Sequence, residues 1–553
     1  MKPYQVERIE RACLAAVMLA AMGLRFAGLR WGLPSAAHLF SYHPDEAPLL
    51  GPVWYMLNTG DWDPHFYNYG TFYIYLVAVC AKFGALLGLV PLPEGGWTEL
   101  HLLARSLTAL LGVGTVYLVY VIGKDLGGPP VGLGSAALLA VLPAHVVNSH
   151  YATVDVLATF LIVLLLAVLP RLFGMADLAI YLVAGLALGL ATAAKYTMIL
   201  GLVPLLFAHL FARDEQGYAP SLLMPIAGLA AAALAFWAVT PFLLLLGDDG
   251  LHLNPDFLRD LHFELQHMRI GGTPAFAATG NGWLYHLLRA LPAGMGYPAL
   301  LLGLVGAGLM LRRGPSTSLG TGSGVAMVLL SFALPYFFVI GAGKERFLRY
   351  SLPLLPVLVI AGGYALERLR LATPPALAAW KGAVSPAVLG LAVLAGTTWY
   401  AGQMVGTMTA ADPRTRAAEW LQARAAPRTR IGLASTPWYF TPPLTPFNGG
   451  LRSAEEFHRW QREKPPYRVI VTGWDAAALR RARSDFFVVS DTEYADLLRL
   501  GQSDPAALMA ELPKRYDRLE TFEHAPPMPA LRPAKLTCPP DWLYTWPRVE
   551  VYH

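Results

Sequence analysis

The chain has 553 residues, 55% of them hydrophobic and only 14% charged, with a formal net charge of +5. Soluble domains carry about a quarter charged residues, so a wholly soluble protein is excluded. The modest charge, with no basic face and no RNA-binding signature, excludes a nucleic-acid binder, and the scattered Cys13, Cys80 and Cys538 exclude a disulfide framework or zinc knuckle.

The opening "MKPYQVERIERACLAAVMLAAMGL" resembles a signal peptide, but its apolar run continues past any small-residue cleavage site. An uncleaved first span over 11–31 is therefore expected. Further apolar stretches follow at 72–91, 102–122, 131–148, 155–170, 178–193, 197–212, 221–246, 293–312, 324–341, 350–366 and 384–406. Runs of this length and number specify a polytopic α-helical membrane protein. Loop charges then set the parity, because Lys and Arg collect on the cytoplasmic side. With Lys2, Arg8 and Arg11 inside, Lys124, Arg171, Arg213, Arg312 and the arginines of 367–381 also fall inside only if 72–91 does not cross. Eleven spans are expected, with 72–91 lying along or dipping into the outer face. Arg25 and Arg30, near the outer end of the first span, read as snorkelling.

The Gly/Ser run at 314–324 reads as a flexible cytoplasmic linker. Beyond 408 the composition changes. "DPRTRAAEWLQARA" has helical spacing, whereas "RIGLAS", "YRVIVTG" and "DFFVVSD" are short strand-like runs flanked by turn residues. The expected division is a transmembrane domain over 1–408, with a first outer loop at 32–101 carrying juxtamembrane helices, and a small extracytoplasmic α/β domain over 409–553.

The stretch "FSYHPDEAPLLG" puts Asp45 and Glu46 just beyond the first span. By the same parity they share the outer side with Asp155, Lys195, Lys344, Arg346 and Arg349. Ionisable groups at membrane depth are costly and tend to mark function. A partly desolvated carboxylate can act as a general base, and clustered Lys and Arg suit phosphate. Together they suggest transfer from a phosphate leaving group held in the membrane. Each residue also has a plainer reading. Asp45, Glu46 and Asp155 could begin helices, Lys195 could sit in a solvated turn, and "GKERFLRY" could anchor to lipid headgroups. His43, His65 and His150, with Asp45 and Asp155, are metal candidates but lack tight ligand spacing. The cofactor expectation is thus none, or a divalent metal ion. A transporter or lipid-linked-glycan flippase is the alternative class; it calls for paired broken helices and an internal repeat, and no repeat is visible.

"HPDEAPLLG" followed by "GDWDPHFYNYGTFYIYL", then "LLAVLPAHVVNSHYATVDVLATFLIVLLLA", "LALGLATAAKYTMILGLVPLL" and "RFLRYSLPLLPVLVIAGGYAL", resembles a known family in motif order. It is that of the dolichyl-phosphate-mannose–protein mannosyltransferases, family 39 of the GT-C class, which includes bacterial aminoarabinose transferases acting on lipid A. The resemblance covers roughly residues 10 to 410. It implies an inverting transfer from a polyprenyl-phosphate-linked sugar donor to a protein, lipid or glycan acceptor on the outer side of a bacterial cytoplasmic membrane. It implies Asp45 as catalytic base with Glu46 beside it, and Asp155 as a supporting acid. Lys195, Lys344, Arg346, Arg349 and Tyr350 fall at positions expected near the donor phosphate. In some relatives the second-loop acid, here Asp155, helps bind metal; the candidate ligands read from the residues themselves are Asp45, Asp155, His43 and His150. The sequence departs from the pattern at Gly70, where relatives often carry proline.

Overall fold

The structure, a computed structural model, describes residues 3–35, 38–39, 41–91, 96–213, 217–247, 250–312, 321–372, 385–444, 467–524 and 538–553. Most of the linker expected at 314–324, and the charged stretch beyond 372, lie outside the described residues.

Among the described residues up to Thr409, the regular elements are helices apart from one hairpin. In chain order the helices are α1 (Pro3–Phe26), α2 (Glu46–Thr59), α3 (Phe72–Leu86), α4 (Trp97–Gly127), α5 (Pro129–Ala140), α6 (Pro143–Asn148), α7 (Val154–Val168), α8 (Leu178–Ala194), α9 (Leu202–Phe211) and α10 (Leu223–Ala238). The hairpin β1 (Leu244–Gly247) and β2 (Gly250–Leu253) leads into α11 (Pro255–Ile270), α12 (Gly282–Tyr285), α13 (Leu291–Met295), α14 (Tyr297–Leu311), α15 (Thr321–Ala342), α16 (Leu355–Ala372) and α17 (Pro386–Thr409).

Each expected apolar stretch contains helix, although 221–246 is helical only over Leu223–Ala238 before a short 3₁₀ turn and ends in β1. Among the described residues, five helices are long and apolar enough to cross a membrane individually, or six if a bent pair counts as one span. That pair, Gly282–Met295 and Tyr297–Leu311, turns through 120° at Gly296, so the stretch expected at 293–312 begins in one helix and continues in another. α3 has 15 residues, about 22 Å of helix against a hydrocarbon core of roughly 30 Å. Small residues let helices touch backbone to backbone. A Cβ on Gly185 of α8 would fall 2.0 Å from the Gly228 carbonyl oxygen of α10.

Breaks in the helices place the outer loops. Pro143 follows the end of α5, and α6 then runs only to Asn148 before the turn that starts α7. Arg25 sits at this break and corrects the snorkelling expectation. It is fully buried and donates to the Leu139 oxygen at 3.1 Å and the Ala140 oxygen at 2.9 Å, with His145 Nδ1 at 2.8 Å. The guanidinium satisfies carbonyls that the end of α5 leaves without intrahelical partners. Arg30 is exposed.

Beyond α17 the chain forms α18 (Pro413–Gln422), β3 (Arg430–Leu433), β4 (Arg468–Val471), α19 (Ala476–Ala482), β5 (Phe486–Ser490), α20 (Asp491–Arg499), α21 (Ser503–Arg515), β6 (Arg518–Phe522) and β7 (Val549–Tyr552). The sheet order is β4-β3-β5-β7-β6, parallel across β4, β3 and β5 and antiparallel across β5, β7 and β6. Phe486 and Val488 face α18, whereas Phe487 and Val489 face α19 and α21. This is the alternation of a strand covered on both faces. The stretch from Cys538 to Trp546 leaves the sheet and packs Trp542, Tyr544 and Trp546 into the main helical core.

Candidate active site

Asp45 lies at the start of α2, where its side chain makes no helix cap. Instead Arg349 Nη2 stands 3.0 Å from Asp45 Oδ2. The contact is an ion pair without hydrogen-bond alignment: Asp45 Oδ2 and Arg349 Nη1 are both buried atoms with no hydrogen-bond partner. Arg349 Nε lies 4.0 Å from Asp155 Oδ2, and Lys195 Nζ donates to Asp155 Oδ1 at 2.6 Å. The Lys195 ammonium also sits 4.6 Å from the centre of the Tyr350 ring. Acid, cation, acid and cation thus alternate through one chain, Asp45–Arg349–Asp155–Lys195, buried except at the half-buried Asp45. Asp155 is in the first turn of α7 without capping it, and Lys195 is buried where α8 ends rather than solvated in a turn.

Glu46, adjacent to Asp45, points elsewhere. Arg105 of α4 grips its carboxylate from two nitrogens, at 2.8 and 2.7 Å, and the Ala152 N–H donates to Glu46 Oε1 at 2.8 Å. Burial opposes ionisation of Glu46, but the Arg105 charge and hydrogen bonds outweigh it and hold the carboxyl down at about 2. The same guanidinium donates to the Leu29 and Trp31 carbonyl oxygens. Glu46 therefore ties α2, α4 and the loop before α7 together.

The histidines serve packing. Both ring nitrogens of His150 meet backbone carbonyls, Val146 at 2.9 Å and Ala27 at 2.7 Å. His43 is wedged between the Tyr151 and Tyr544 rings, and its Nδ1 accepts the Asp45 N–H at 3.3 Å. Burial pushes its pKa down to about 4, leaving a neutral ring. His65 lies with Asp61 and Asp256, apart from Asp155. Among the described residues, no three His, Cys, Asp or Glu side chains gather as they would around a metal ion.

Two expected cations are elsewhere. Lys344 is exposed, and Arg346 donates to Thr279 Oγ1 at 2.6 Å, away from Asp45. Arg346 and Arg349 are both buried, but Arg349, in the 3₁₀ turn Leu348–Leu354, faces Asp45 whereas Arg346 faces Thr279. Tyr73 is buried with its hydroxyl on Thr108 at 2.8 Å, Tyr75 bonds to the Trp62 carbonyl, and Phe83 is exposed.

Three contributors escape the motif reading. Glu264 of α11 accepts from Asn68 at 3.0 Å, and burial pushes its carboxyl up while Lys195 and Arg349 pull it down. Asp260, one turn earlier, accepts the Tyr67 N–H at 2.8 Å. The spacing Asp256, Asp260, Glu264 puts three acids on one helical face, a signal present in the sequence. The third, Asp541, accepts the Leu348 and Arg349 N–H groups at 3.0 Å each, fixing the backbone that carries Arg349. Burial pushes its pKa up.

The dolichyl-phosphate-mannose-protein mannosyltransferase family model matches residues 55–253. That segment holds Asp155 and Lys195; Asp45 precedes it and Arg349 follows it. No curated protein matches the sequence. Among solved structures, ArnT from Cupriavidus metallidurans bound to undecaprenyl phosphate is similar at 16% identity and TM-score 0.51, over 97% of this chain and 97% of that one. The apo state of the same protein gives 15% identity and TM-score 0.50, over 99% and 98%. The chain thus shares the overall fold of ArnT, and its residues 55–253 match the dolichyl-phosphate-mannose-protein mannosyltransferase family model.

Proposed function

We propose that this chain moves a sugar, with inversion, from a polyprenyl phosphate to an acceptor on the outer side of a bacterial cytoplasmic membrane, with Asp45 as general base. One observation carries the reading: Arg349 Nη2 lies 3.0 Å from Asp45 Oδ2, and that oxygen and Arg349 Nη1 are buried without a hydrogen bond. Burying such groups without partners costs free energy, and a substrate that brings both an anion and a proton donor satisfies both. ArnT, whose fold this chain shares, has been solved with undecaprenyl phosphate, a lipid anion of the kind these cations suit.

In this mechanism Arg349, Lys195 and the Tyr350 ring hold the donor phosphate. The acceptor oxygen or nitrogen attacks the anomeric carbon, and the carbon–oxygen bond to phosphate breaks with its electron pair leaving on the phosphate. The acceptor proton passes to Asp45. Charge developing on the leaving phosphate meets cations already fixed in place, and the oxocarbenium-like sugar lies beside Asp45. Asp155 holds Lys195 and flanks Arg349. Glu46 is a positioning residue, not a second base, and Lys344 and Arg346 fall outside the phosphate clamp. Eleven spans, with α3 along the outer face, follow from loop charge. The 409–553 stretch then lies outside, over the site. The transporter alternative calls for paired broken helices; one bent pair is present among the described residues.

The test is turnover of radiolabelled polyprenyl-phosphate sugars by lipid-embedded protein, wild type beside Asp45→Asn. Loss of about 10²–10⁴-fold in the variant, with donor still bound, is expected for a general base. Undiminished transfer would remove Asp45 from the role. A chelator arm reads metal dependence directly.

A further inference from the structure

A cavity of about 430 Å³ lies between α20, the π-helical turn His286–Ala290 and the stretch from Cys538 to Tyr544. Its volume suits a small ligand, and π-helical turns inside helices recur at functional sites. One wall is Tyr439 and Tyr544, their rings 5.4 Å apart. The Tyr544 ring also lies 5.0 Å from His43, two residues before Asp45. After burial, the Asp45 charge is the strongest influence keeping the Tyr544 hydroxyl protonated. The cavity therefore abuts the face of the site where an acceptor must arrive.

The lining indicates what fits. Tyr285, Tyr439 and Tyr544 offer aromatic faces, with Thr492 and Asp496 among the polar groups. Its two lining arginines differ: Arg499 donates to Asp496 at 2.9 Å and to the Pro274, Ala275 and Ala277 carbonyls, whereas Arg289 rests 5.4 Å over the Tyr285 ring. A phosphate-rich ligand would need more than the one cation that Arg289 offers. An extended peptide would need a free strand edge, and the lining residues belong to helices and loops. Aromatic faces beside a few hydroxyl and carboxylate groups suit the alternating C–H faces and hydroxyl rim of a sugar.

We infer that this cavity is the acceptor pocket and takes a neutral saccharide unit, presenting a hydroxyl toward Asp45. The inference rests on Asp45 being the base. Its test is saturation-transfer NMR on the full chain in lipid nanodiscs with chitobiose, mannobiose, cellobiose and lactose, beside a threonine hexapeptide. At least one disaccharide should bind wild type and Asp45→Asn alike. Binding should weaken about tenfold or more in Ala495→Trp, which fills the cavity, and in Leu498→Trp, a second filler at an exposed lining position. The inference fails if no disaccharide binds, if both fillers leave binding unchanged, or if only the hexapeptide binds and is displaced by the fillers. Transfer surviving in Asp45→Asn would instead overturn the base assignment, a separate readout from binding.

Discussion

Asp45 and Glu46 are neighbours with opposite tasks, and environment makes the difference. Glu46 is walled in by Arg105, whereas Asp45 keeps a carboxylate oxygen without a hydrogen bond. Because the folded state holds Glu46 at about 2 against an ordinary 4.5, its stabilisation is present above the ordinary value and is lost as pH falls through the folded one. Wild-type stability should drop by roughly 3 kcal/mol between about pH 5 and pH 2 on this account. Glu46→Gln should flatten that drop in thermal melts across pH and be less stable near neutrality. The Asp155–Lys195 pair gives a second residue-scale expectation. Lys195→Met leaves Asp155 buried beside only the more distant Arg349 and should cost about 3–5 kcal/mol. Adding Asp155→Leu should recover much of that stability while transfer stays lost, which separates folding from function.

At the scale of elements, Gly70 explains its departure from the family pattern. A Cβ there would lie 1.9 Å from the Ala193 carbonyl oxygen, so neither alanine nor proline fits against the end of α8. Gly70→Ala should cost about 1–3 kcal/mol as overpacking. Because Ala193 is two residues from Lys195, it should also raise the donor KM more than it lowers kcat; an unchanged donor KM would show that the two are uncoupled. Legibility follows the same line between local and distant. Helices announced themselves as long apolar runs, and β5 as "DFFVVSD", since periodicity is local. Asp45, Asp155, Lys195 and Arg349 were readable because each sits at a break between helix and loop. Arg346 and Arg349 lie three residues apart yet face different partners, because the backbone enters a 3₁₀ turn at Leu348, and sequence spacing does not carry that. Arg25 looked like an interfacial anchor because its acceptors belong to a helix end more than a hundred residues away. The acid row of α11 was legible in principle, but its partners in 65–68 were not.

Across the whole molecule, the loop after α1, the start of α18 and the 538–546 stretch interlock. Trp31 Nε1 donates to Asp412 at 3.0 Å, and Arg414, paired with the same carboxylate, stacks 3.8 Å over Tyr42. Trp542 donates to the Tyr400 hydroxyl at 3.0 Å, and that hydroxyl donates to the Ala293 carbonyl at 2.7 Å. Trp542→Ala should therefore cost about 3–5 kcal/mol and abolish donor binding by releasing Asp541 from the Leu348–Arg349 backbone. Protein that melts normally and still binds donor would show that the segment is only a cover. The position of Asp541 also sets a schedule. Asp45 and Arg349 are made long before the ribosome reaches Asp541, and until then the backbone that aims Arg349 lacks its anchor. The site thus reaches its final geometry only once this late-made segment has folded back onto it.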